Sequence, residues 1–488
     1  MMNEHVDVLI VGAGISGIGM ASSLSGEGLS ISILESRHEL GGTWSLFQYP
    51  GIRSDSDMTT FAFRSHPWVD ERTIAPGETI QEYLRSVAEQ AEVARLIRYR
   101  RRVIRADWSS EAQTWRVEYE ELETGEVRSL TCWMLFGATG YYRYDEGYRP
   151  SWPTLPRFQG TVVHPQQWPS DLDVRDKRVV VVGSGATAVT LVPSLADAGA
   201  KVTMLQRSPT YIAAVPSRDT LGNRIRRFLP LRVAAGANRW RGILKGMFVY
   251  EFSRRRPARM RALLHEGVTR QLGPDYPVDR HFKPDYDPWD QRLCATPDGD
   301  LFDSIRNGQA DVMTDHISAF TEDGIQLASG GHLQADIIVT ATGLNILMFG
   351  DIEFRIDGEL IDLASRVSYR GMMLDGVPNF AFAFGYTNSS WTLKVDLITD
   401  HVRRLLRTLR RTGALTVTPH YEGRRDNLPP LIDMGSGYVK RGVHLLPRQG
   451  DGSDWRRNQN YLSDHRLFRR KIRDQSALRF TNSSVRSA

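Results

Sequence analysis

Two segments of the chain repeat one pattern, in which a run of β-branched residues leads into a glycine turn and then into apolar residues at helical spacing. The first reads VDVLIVGAGISGIGMASSL and begins at Val6, and the second reads KRVVVVGSGATAVTLVPSL and begins at Lys177. Each predicts a strand, a tight turn and a helix, and a further strand follows each of them, in LSISILES and AKVTMLQRS. The chain is therefore predicted to be an α/β protein with two dinucleotide-binding, Rossmann-like domains, each of which holds one nucleotide.

The first glycine turn carries the spacing GxGxxG, formed by Gly12, Gly14 and Gly17. These glycines permit a tight turn and a close backbone approach to a pyrophosphate, which the N-terminus of the following helix then attracts. Glu35 stands at the end of the next predicted strand, where a carboxylate is placed to bind a ribose hydroxyl. Gly42, Thr43 and Trp44 belong to a GGTW stretch that is typical of FAD-binding flavoproteins with two dinucleotide folds.

The second glycine turn has Gly183, Gly185 and Ala188 in the pattern GxGxxA. Alanine at the third position still allows close packing of the helix against the strand. At the end of the next strand no acid is present, and Arg207 and Ser208 stand in its place. Because an acid would repel a 2′-phosphate and an arginine would pair with it, the second nucleotide is predicted to be NADPH rather than NADH.

The length of 488 residues suits two or three domains. We predict that residues 1–150 form the first part of an FAD-binding domain and that residues 151–176 form a linker. Residues 177–340 would form the NADPH-binding domain, with a helical insertion at about 218–285. Residues 341–488 would return to the FAD-binding domain and then alternate between helices and polar loops.

The linker contains the stretch FQGTVVHPQQWP, whose spacing fits neither a helix nor a strand. We expect Phe158, Trp168 and Pro169 to anchor it in both domains, and Gly160 to let it turn. His164 is interpreted as coupling domain movement to the placement of the nicotinamide, and a plain core histidine is the alternative.

Together, these motifs resemble the class B flavoprotein monooxygenases, and FxGxxxHxxxWP looks like the fingerprint of their Baeyer–Villiger branch. Within that branch, several stretches look like the subgroup of the ethionamide-activating monooxygenases. They are YPGIRSDSD (49–57), PWDQRLCATPDGDLF (288–302), TATG (340–343), MMLDGVPNFAF (372–382) and GYTNSSWTLK (385–394). The similarity extends from Val6 to about Phe480.

The resemblance implies an activity that requires FAD, NADPH and O₂. NADPH reduces the flavin, and the reduced flavin forms a C4a-peroxyflavin with O₂ that transfers one oxygen atom to a small hydrophobic organic substrate. The expected reaction is Baeyer–Villiger oxidation of a ketone to an ester or lactone. The alternative is S- or N-oxygenation of a sulfide, thioamide or amine.

The resemblance also implies two catalytic residues. Arg292 matches the active-site arginine of the family, a fixed cation that stabilises negative charge on oxygen. Asp55 matches the acid that orients this arginine and the nicotinamide, although Asp57 lies two residues further on and is a second candidate. Gln291 departs from the lysine that the family often has before the arginine, and this departure either weakens NADPH binding or shifts the phosphate contact to Arg207 and its neighbours.

Composition excludes several other classes. The net charge of +5 is small for this length and argues against a nucleic-acid partner. Cys132 and Cys294 are the only cysteines and form no CxxC, which argues against a disulfide framework and a flavin-dependent disulfide reductase. No metal site is expected from the spacing of the histidines, and a cytoplasmic location is expected because no secretory signal precedes the first strand. Trp289 and Trp391 either wall a substrate pocket or belong to the core, and we favour the core.

Between Arg218 and Arg261 the chain has many arginines, interleaved with Leu, Phe, Trp and Val, and few acids. This pattern fits a helical cap over the active site with a solvated basic face, whose apolar side lines the entrance for hydrophobic substrates. It also fits a segment that lies on an anionic membrane surface. We favour the cap, and contact with a membrane surface stays open.

Overall fold

The computed structural model of the chain describes residues 4–291, 293–472 and 477–482. Within these residues, the largest element is a nine-stranded mixed sheet, which we name the first sheet. Its strands, from one edge to the other, are Glu359–Leu360, Glu353–Ile356, Arg101–Ser109, Thr114–Glu121, Glu126–Gly137, Glu4–Val11, Ile31–Leu34 and Ile97–Arg98, and Phe380–Phe382 pairs with Glu126–Gly137.

The strand Glu4–Val11 lies inside this sheet, parallel to both of its neighbours. Its apolar residues are buried on both faces, which is the pattern of a covered parallel strand. Val11 is opposite Leu34 on one side and Gly137 on the other, so the carboxyl ends of the three strands meet at one edge. Crevices at such edges are the usual ligand sites of open α/β sheets.

The second sheet is parallel throughout, as expected for a nucleotide-binding unit. Its strands, in order, are Ala310–Thr314, Lys201–Gln206, Arg178–Val182, Ile337–Thr340 and Thr161–Val163. The last of these lies within the segment that we predicted to be a linker. Its three residues pair with the buried strand Ile337–Thr340 and so add an edge strand to this sheet.

Smaller strand pairs complete the β-structure. They are the antiparallel strands Ile317–Phe320, Gly324–Leu327 and His332–Gln334, and the pairs Ile212–Val215 with Cys294–Pro297, Tyr142–Gly147 with Leu344–Ile346, Ser368–Tyr369 with Met373–Leu374, and Ala414–Pro419 with Leu478–Asn482. The last pair was not predicted, because we expected only helices and loops in this region. Antiparallel pairing across about sixty intervening residues leaves no local sequence signal.

The helices pack on both sheets and form the insertion. Those with eight or more residues are Ile15–Leu24, Gly77–Gln90, Ala186–Asp197, Thr220–Phe228, Leu231–Arg255, Pro257–Leu272, Trp391–Thr412 and Tyr461–Arg469. Shorter ones are Thr43–Leu46, Met58–Phe61, Val278–His281, Asp300–Arg306 and Gly437–Gly442. The insertion consists of Thr220–Phe228, Leu231–Arg255 and Pro257–Leu272, separated at Pro230 and Pro257, where the missing amide N–H favours a new helix start.

Among the helices of the described residues, none combines the length and the apolar character that crossing a membrane requires.

Candidate active site

The first glycine turn is closed so tightly that side chains have no room in it. Gly12 has a φ of +104°, and a Cβ there would lie 2.6 Å from the carbonyl oxygen of Ala138. A Cβ at Gly17 would lie 1.9 Å from the carbonyl oxygen of Gly12. Gly14 is the N-cap of the helix Ile15–Leu24 and has no side chain to occupy the orphan amide N–H groups of that helix. The turn therefore keeps the geometry of an anion cradle.

Glu35 is fixed beside this turn. Its side chain is buried, and it accepts hydrogen bonds from the backbone N–H of Ala13 at 2.7 Å and of Arg37 at 2.8 Å. Because these hydrogen bonds to the backbone fix the orientation of the carboxylate, its remaining lone pairs are in place to accept a hydrogen bond from a ribose hydroxyl.

The GGTW stretch packs directly onto the same turn. Gly41 forms a bridge with Gly14, and a Cβ at Gly42, which has a φ of +58°, would lie 2.9 Å from the Gly14 Cα. Thr43 and Trp44 then begin the short helix Thr43–Leu46. Two backbone segments therefore converge with no side chain between them, as a close approach to a flat or phosphate-bearing ligand requires.

The second glycine turn repeats this construction. Gly183 has a φ of +137°, and a Cβ there would lie 2.3 Å from the carbonyl oxygen of Ala341. Ala341 belongs to TATG and Ala138 belongs to GATG, so an Ala-Thr-Gly tripeptide lies behind each glycine turn. Gly185 is the N-cap of Ala186–Asp197, and a Cβ there would meet no atom within 4 Å, whereas Ala188 is buried against the sheet.

Arg207 and Ser208 are exposed directly after the strand Lys201–Gln206. The side chain of Gln206 turns inward and donates to the His281 carbonyl at 2.7 Å. The carbonyl of Ser208 accepts a hydrogen bond from the Ser184 hydroxyl at 3.2 Å, which ties this segment to the second glycine turn. Arg207 thus stands as an exposed cation beside that turn.

A cavity of about 310 Å³ extends between the two turns. One wall is formed by the first turn and the GGTW stretch, and another by the first turns of the helix Ala186–Asp197. The first wall includes Gly14, Gly42, Thr43 and Trp44, and the second includes Ala186, Thr187 and Thr190. One cavity therefore touches the first glycine turn and the start of the helix that follows the second.

The loop YPGIRSDSD crosses this cavity. Asp55 and Arg53 line it, and Arg53 forms an ion pair with Asp300 at the start of the helix Asp300–Arg306. Asp57 has a different task, because it caps the helix Met58–Phe61 and accepts from the Thr59 N–H at 2.7 Å. Of the two candidate acids, Asp55 is the one at the cavity. Arg292 lies outside the described residues.

Aromatic rings close the cavity from the side of the C-terminal region. Trp391 lines it, stacks on Tyr141 with ring centroids 5.4 Å apart, and donates from Nε1 to the Ser16 hydroxyl at 2.9 Å. Trp391 therefore forms part of the cavity wall, which was the alternative to the core position that we favoured from the sequence. Trp289 contacts Tyr250 instead, with ring centroids 5.6 Å apart.

Tyr386 lines the cavity too, and it is held from behind by two buried charges. Its hydroxyl donates to Asp464 at 2.6 Å, and Lys394 forms an ion pair with the same carboxylate at 2.7 Å. Burial, followed by the negative charge of Asp464, raises the pKa of Tyr386 well above its ordinary value. The phenol therefore stays neutral, and its ring is a fixed wall.

Arg53, Tyr141 and Tyr386 were missed by the sequence reasoning. Arg53 lies inside the quoted YPGIRSDSD motif, and Tyr386 lies inside GYTNSSWTLK, so the motifs were the available signal. Their position in one cavity depends on contacts across more than 200 residues, which no local pattern reports.

The anchoring that we expected from the linker differs in the structure. Phe158 and Trp168 pack against residues of the second sheet, and Pro169 is exposed, so these three residues do not span both domains. Gly160 is required for space, because a Cβ there would lie 2.5 Å from the Asp336 carbonyl oxygen. Since Thr161–Val163 is an edge strand, its flanking aromatic residues pack on the sheet that it extends.

Within this stretch, Gln166 makes the hydrogen bonds to the predicted FAD-binding part, and His164 bonds to the TATG turn behind Gly183 instead. His164 Nδ1 accepts from the Gln166 N–H at 3.2 Å, so Nε2 carries the proton and donates to the Gly343 carbonyl at 3.3 Å. Gln166 donates to the carbonyls of Arg143 and Tyr144 at 2.8 and 2.9 Å. Burial, followed by the charge of Arg149, lowers the pKa of His164. The neutral ring thus connects the strand Thr161–Val163 to the TATG turn.

Cys132 and Cys294 are both buried, and burial raises the pKa of Cys132. Within the described ranges, no group of three or more His, Cys, Asp and Glu side chains is placed to hold a metal ion.

Residues 5–220 match the family model described as flavin-binding monooxygenase-like. The chain is 49% identical over 482 residues to the FAD-containing monooxygenase EthA of Mycobacterium tuberculosis, with 98% of each chain covered. It is 44% identical over 485 residues to the probable FAD-binding monooxygenase AlmA of Acinetobacter baylyi, with 98% of this chain and 97% of the relative covered.

Solved structures share the fold. A steroid monooxygenase bound to NADP superposes with a TM-score of 0.76 at 21% identity and covers 98% of this chain and 100% of its own. Cyclohexanone monooxygenase from Rhodococcus sp. Phi1 bound to NADP⁺ gives 0.74 at 19% identity, with 99% and 100% covered. The predicted fold class is therefore confirmed. With close relatives along nearly its whole length, this chain belongs to the flavin-binding monooxygenase-like family, as one of the FAD-containing monooxygenases.

Proposed function

We propose that this chain is an NADPH-dependent FAD monooxygenase that carries out Baeyer–Villiger oxidation of a small hydrophobic ketone. The observation that carries the proposal is one cavity that is lined both by the first glycine turn and by the helix that follows the second glycine turn. A hydride donor and a flavin must be adjacent for reduction, and the oxidised substrate must then lie beside the same flavin.

The residues at each turn fit one nucleotide. In the part centred on the first sheet, Gly12, Gly14 and Gly17 leave room for the FAD pyrophosphate, and Glu35 accepts a ribose hydroxyl. Gly42, Thr43 and Trp44 cover the approach toward the flavin. In the part centred on the second sheet, Gly183, Gly185 and Ala188 hold the pyrophosphate of NADPH. Arg207 and Ser208 stand where its 2′-phosphate would lie.

The bound flavin, once reduced, supplies the activation of O₂. The chain's own task is to hold charge at fixed places in a cavity that excludes water. Arg53 is held by Asp300, so its guanidinium keeps one orientation toward the cavity, where it stabilises negative charge on oxygen. Asp55 orients the nicotinamide and Arg292, the arginine predicted to share this task.

The wall of the cavity selects the substrate. Trp391, Tyr141 and Tyr386 present ring surfaces and no charge. Such a wall suits an apolar ketone and keeps water away from the reacting oxygen. In the overall reaction, one atom of O₂ enters between the carbonyl carbon and its neighbour and the other leaves as water, while NADPH supplies two electrons.

The fingerprint residues act at a distance from this chemistry. His164, with Phe158, Gly160, Trp168 and Pro169 around it, holds the strand Thr161–Val163 against the TATG turn that backs Gly183. We propose that His164 couples movement of the NADPH-binding part to the position of the nicotinamide.

The test is product analysis under ¹⁸O₂ with matched pairs of ketones and sulfides. We expect an ester or lactone with one labelled oxygen from ketones, at a higher kcat/KM than that of any sulfoxide. Sulfoxides or oxidised thioamides as the preferred products would replace the ketone proposal by heteroatom oxygenation. NADPH oxidation that yields only hydrogen peroxide with every substrate would contradict both.

A further inference from the structure

The helical insertion places apolar side chains in solvent. Leu221, Phe228, Val233, Trp240, Leu244, Phe248 and Leu263 are between 41% and 78% exposed. Exposed apolar residues that occur singly are normal, but these lie on three consecutive helices within about forty residues. The sequence could not show this, because an amphipathic cap and an exposed apolar face have the same composition.

On the longest of these helices the exposed residues form a stripe. Val233, Trp240, Leu244 and Phe248 belong to Leu231–Arg255 and follow one another at intervals of seven, four and four. At about 100° per residue, these positions fall within an arc of about 80° on one side of the helix. Phe248 also stacks on Phe252, with ring centroids 6.1 Å apart. We name these four residues the insertion stripe.

Positive charge surrounds the stripe. Residues 218–261 contain thirteen Arg and Lys and two acids, whereas the whole chain has 62 and 57, so acids outnumber bases elsewhere. Several of these cations form internal ion pairs, such as Arg241 with Asp219 and Arg254 with Asp290. Six exposed ones have no ion-pair partner among the described residues. They are Arg224, Arg227, Arg232, Lys245, Arg256 and Arg259.

We propose that the insertion docks on an anionic lipid bilayer, with the insertion stripe in the headgroup region and the flanking cations on the lipid phosphates. Apolar residues along one helix face, flanked by Arg and Lys, are the pattern of helices that lie in the plane of a membrane interface. A negatively charged surface complements the excess of cations confined to this segment. The internal ion pairs link these helices to neighbouring segments, while the unpaired cations are exposed.

The helix that carries the insertion stripe also lies next to the active-site cavity. Ile243, Met247 and Tyr250 of the same helix line a narrow cleft with Tyr386 and Ser389, and the last two also line the large cavity. The cleft holds only about 10 Å³, so it joins the helix to the cavity wall without forming an open channel. Entry of a bilayer-dissolved substrate from this side rests on the proposed function, but the docking itself does not.

The test is co-sedimentation of the holoenzyme with vesicles at physiological salt. One set contains equimolar phosphatidylglycerol and phosphatidylcholine, and the other contains phosphatidylcholine alone. We expect the partition coefficient to be at least about tenfold higher for the anionic vesicles and to fall as salt is raised. Protein that stays in the supernatant with both sets would overturn the proposal.

Two double variants separate the two parts of the surface. Leu244→Ser with Phe248→Ser removes the centre of the insertion stripe, and Arg227→Ser with Arg232→Ser removes unpaired cations. Each should lower binding to anionic vesicles by about tenfold or more. The matched control is Val127→Ser with Leu360→Ser, because these residues are 59% and 66% exposed but lie on the first sheet. It should bind like the wild type.

The yellow colour and the thermal unfolding midpoint of each variant show that it is folded, and oxidation of a water-soluble substrate shows that the active site is intact. If the stripe variant is folded and active but pellets like the wild type, the stripe is not inserted and the proposal fails. Specific loss of vesicle binding with unchanged turnover supports docking, whichever substrate the enzyme oxidises.

Discussion

Among single side chains, Arg207 is the one that we propose selects NADPH over NADH at the second site. It is exposed beside the second glycine turn, and no acid occupies the end of its strand. Arg207→Ala should raise the KM for NADPH by about tenfold or more, since a hydrogen bond to a charged group is lost, and should leave the KM for NADH nearly unchanged. Lys201→Ala, an exposed cation at the other end of the strand, is the control and should change neither. Equal increases for both nucleotides would contradict the phosphate contact.

The two aspartates of YPGIRSDSD are expected to respond in opposite ways. Asp57 caps a helix, so Asp57→Ala should lower the free energy of unfolding by about 1 kcal/mol and leave kcat near the wild-type value. Asp55 lines the cavity, so Asp55→Ala should lower kcat by about tenfold or more with little change in stability. Denaturant titrations give the free energy of unfolding of each variant, and steady-state kinetics give its kcat. A loss of kcat for Asp57→Ala alone would reverse the assignment.

Sequence reasoning was strongest where function needs a local pattern. Gly12, Gly17 and Gly183 were identified because a turn that admits no Cβ must recur at fixed spacing, and the structure shows the backbone contacts that exclude a side chain. No local spacing pattern identifies Arg53 or Tyr386. Their importance comes from an ion pair with Asp300 and from burial against Asp464, both of which are long-range contacts.

At the level of elements, two glycines of the second strand–turn–helix unit are expected to serve different purposes, Gly183 the fold and Gly185 the binding of NADPH. Gly183 has a φ of +137° and faces the Ala341 carbonyl, whereas a Cβ at Gly185 would meet open space at a φ of −77°. Gly183→Ala should therefore lower the thermal unfolding midpoint. Gly185→Ala should leave the midpoint unchanged, because alanine is accepted at that backbone geometry. Its methyl group would occupy the pyrophosphate position, so the KM for NADPH should rise by about tenfold or more.

Differential scanning fluorimetry and NADPH titrations on the two variants check this. Their FAD content should match the wild type, because the first turn is unchanged. Weak NADPH binding by Gly185→Ala together with a lower midpoint would mean that the glycine serves the fold alone.

The elements themselves were predicted where hydrophobic runs are long, as in Glu4–Val11 and Arg178–Val182. The strand Thr161–Val163 was missed because three residues cannot show a period, and it is a strand only through its pairing with Ile337–Thr340. The insertion helices and their exposed basic residues were expected, but we favoured an apolar side that lines the entrance, and the structure leaves the insertion stripe in solvent. Composition gives the residues on a helix, and the packing around that helix decides which of them remain in solvent.

For the whole molecule, the decisive property is that the first glycine turn and the helix Ala186–Asp197 after the second turn come together around one cavity. The loop around Tyr49 makes this contact, since a Cβ at Gly51 would lie 1.8 Å from the hydroxyl oxygen of Ser194 on the helix Ala186–Asp197. Burial raises the pKa of Tyr49 to about 12, so its phenol is neutral at this junction. Sequence could predict two sites, but their alignment depends on these contacts between distant segments.

The ion pair between Arg53 and Asp300 is the charged part of the same junction. It joins the cavity loop to the helix Asp300–Arg306, and the side chains are 14% and 32% exposed. Asp300→Asn keeps the volume and removes the charge, so the Arg53 guanidinium loses its fixed orientation. We expect kcat for oxygenation to fall by about tenfold, with more hydrogen peroxide released per NADPH oxidised, while FAD stays bound.

The control for this variant is Asp303→Asn. Asp303 lies one turn further along the helix and pairs with Arg306 of that helix, so its removal leaves the junction intact. Peroxide yield, product yield and NADPH consumption should be measured on the same samples. If both variants couple NADPH oxidation to oxygenation as tightly as the wild type, the position of Arg53 does not depend on Asp300. A cation other than Arg53, with Arg292 the foremost candidate, would then hold the negative charge on oxygen.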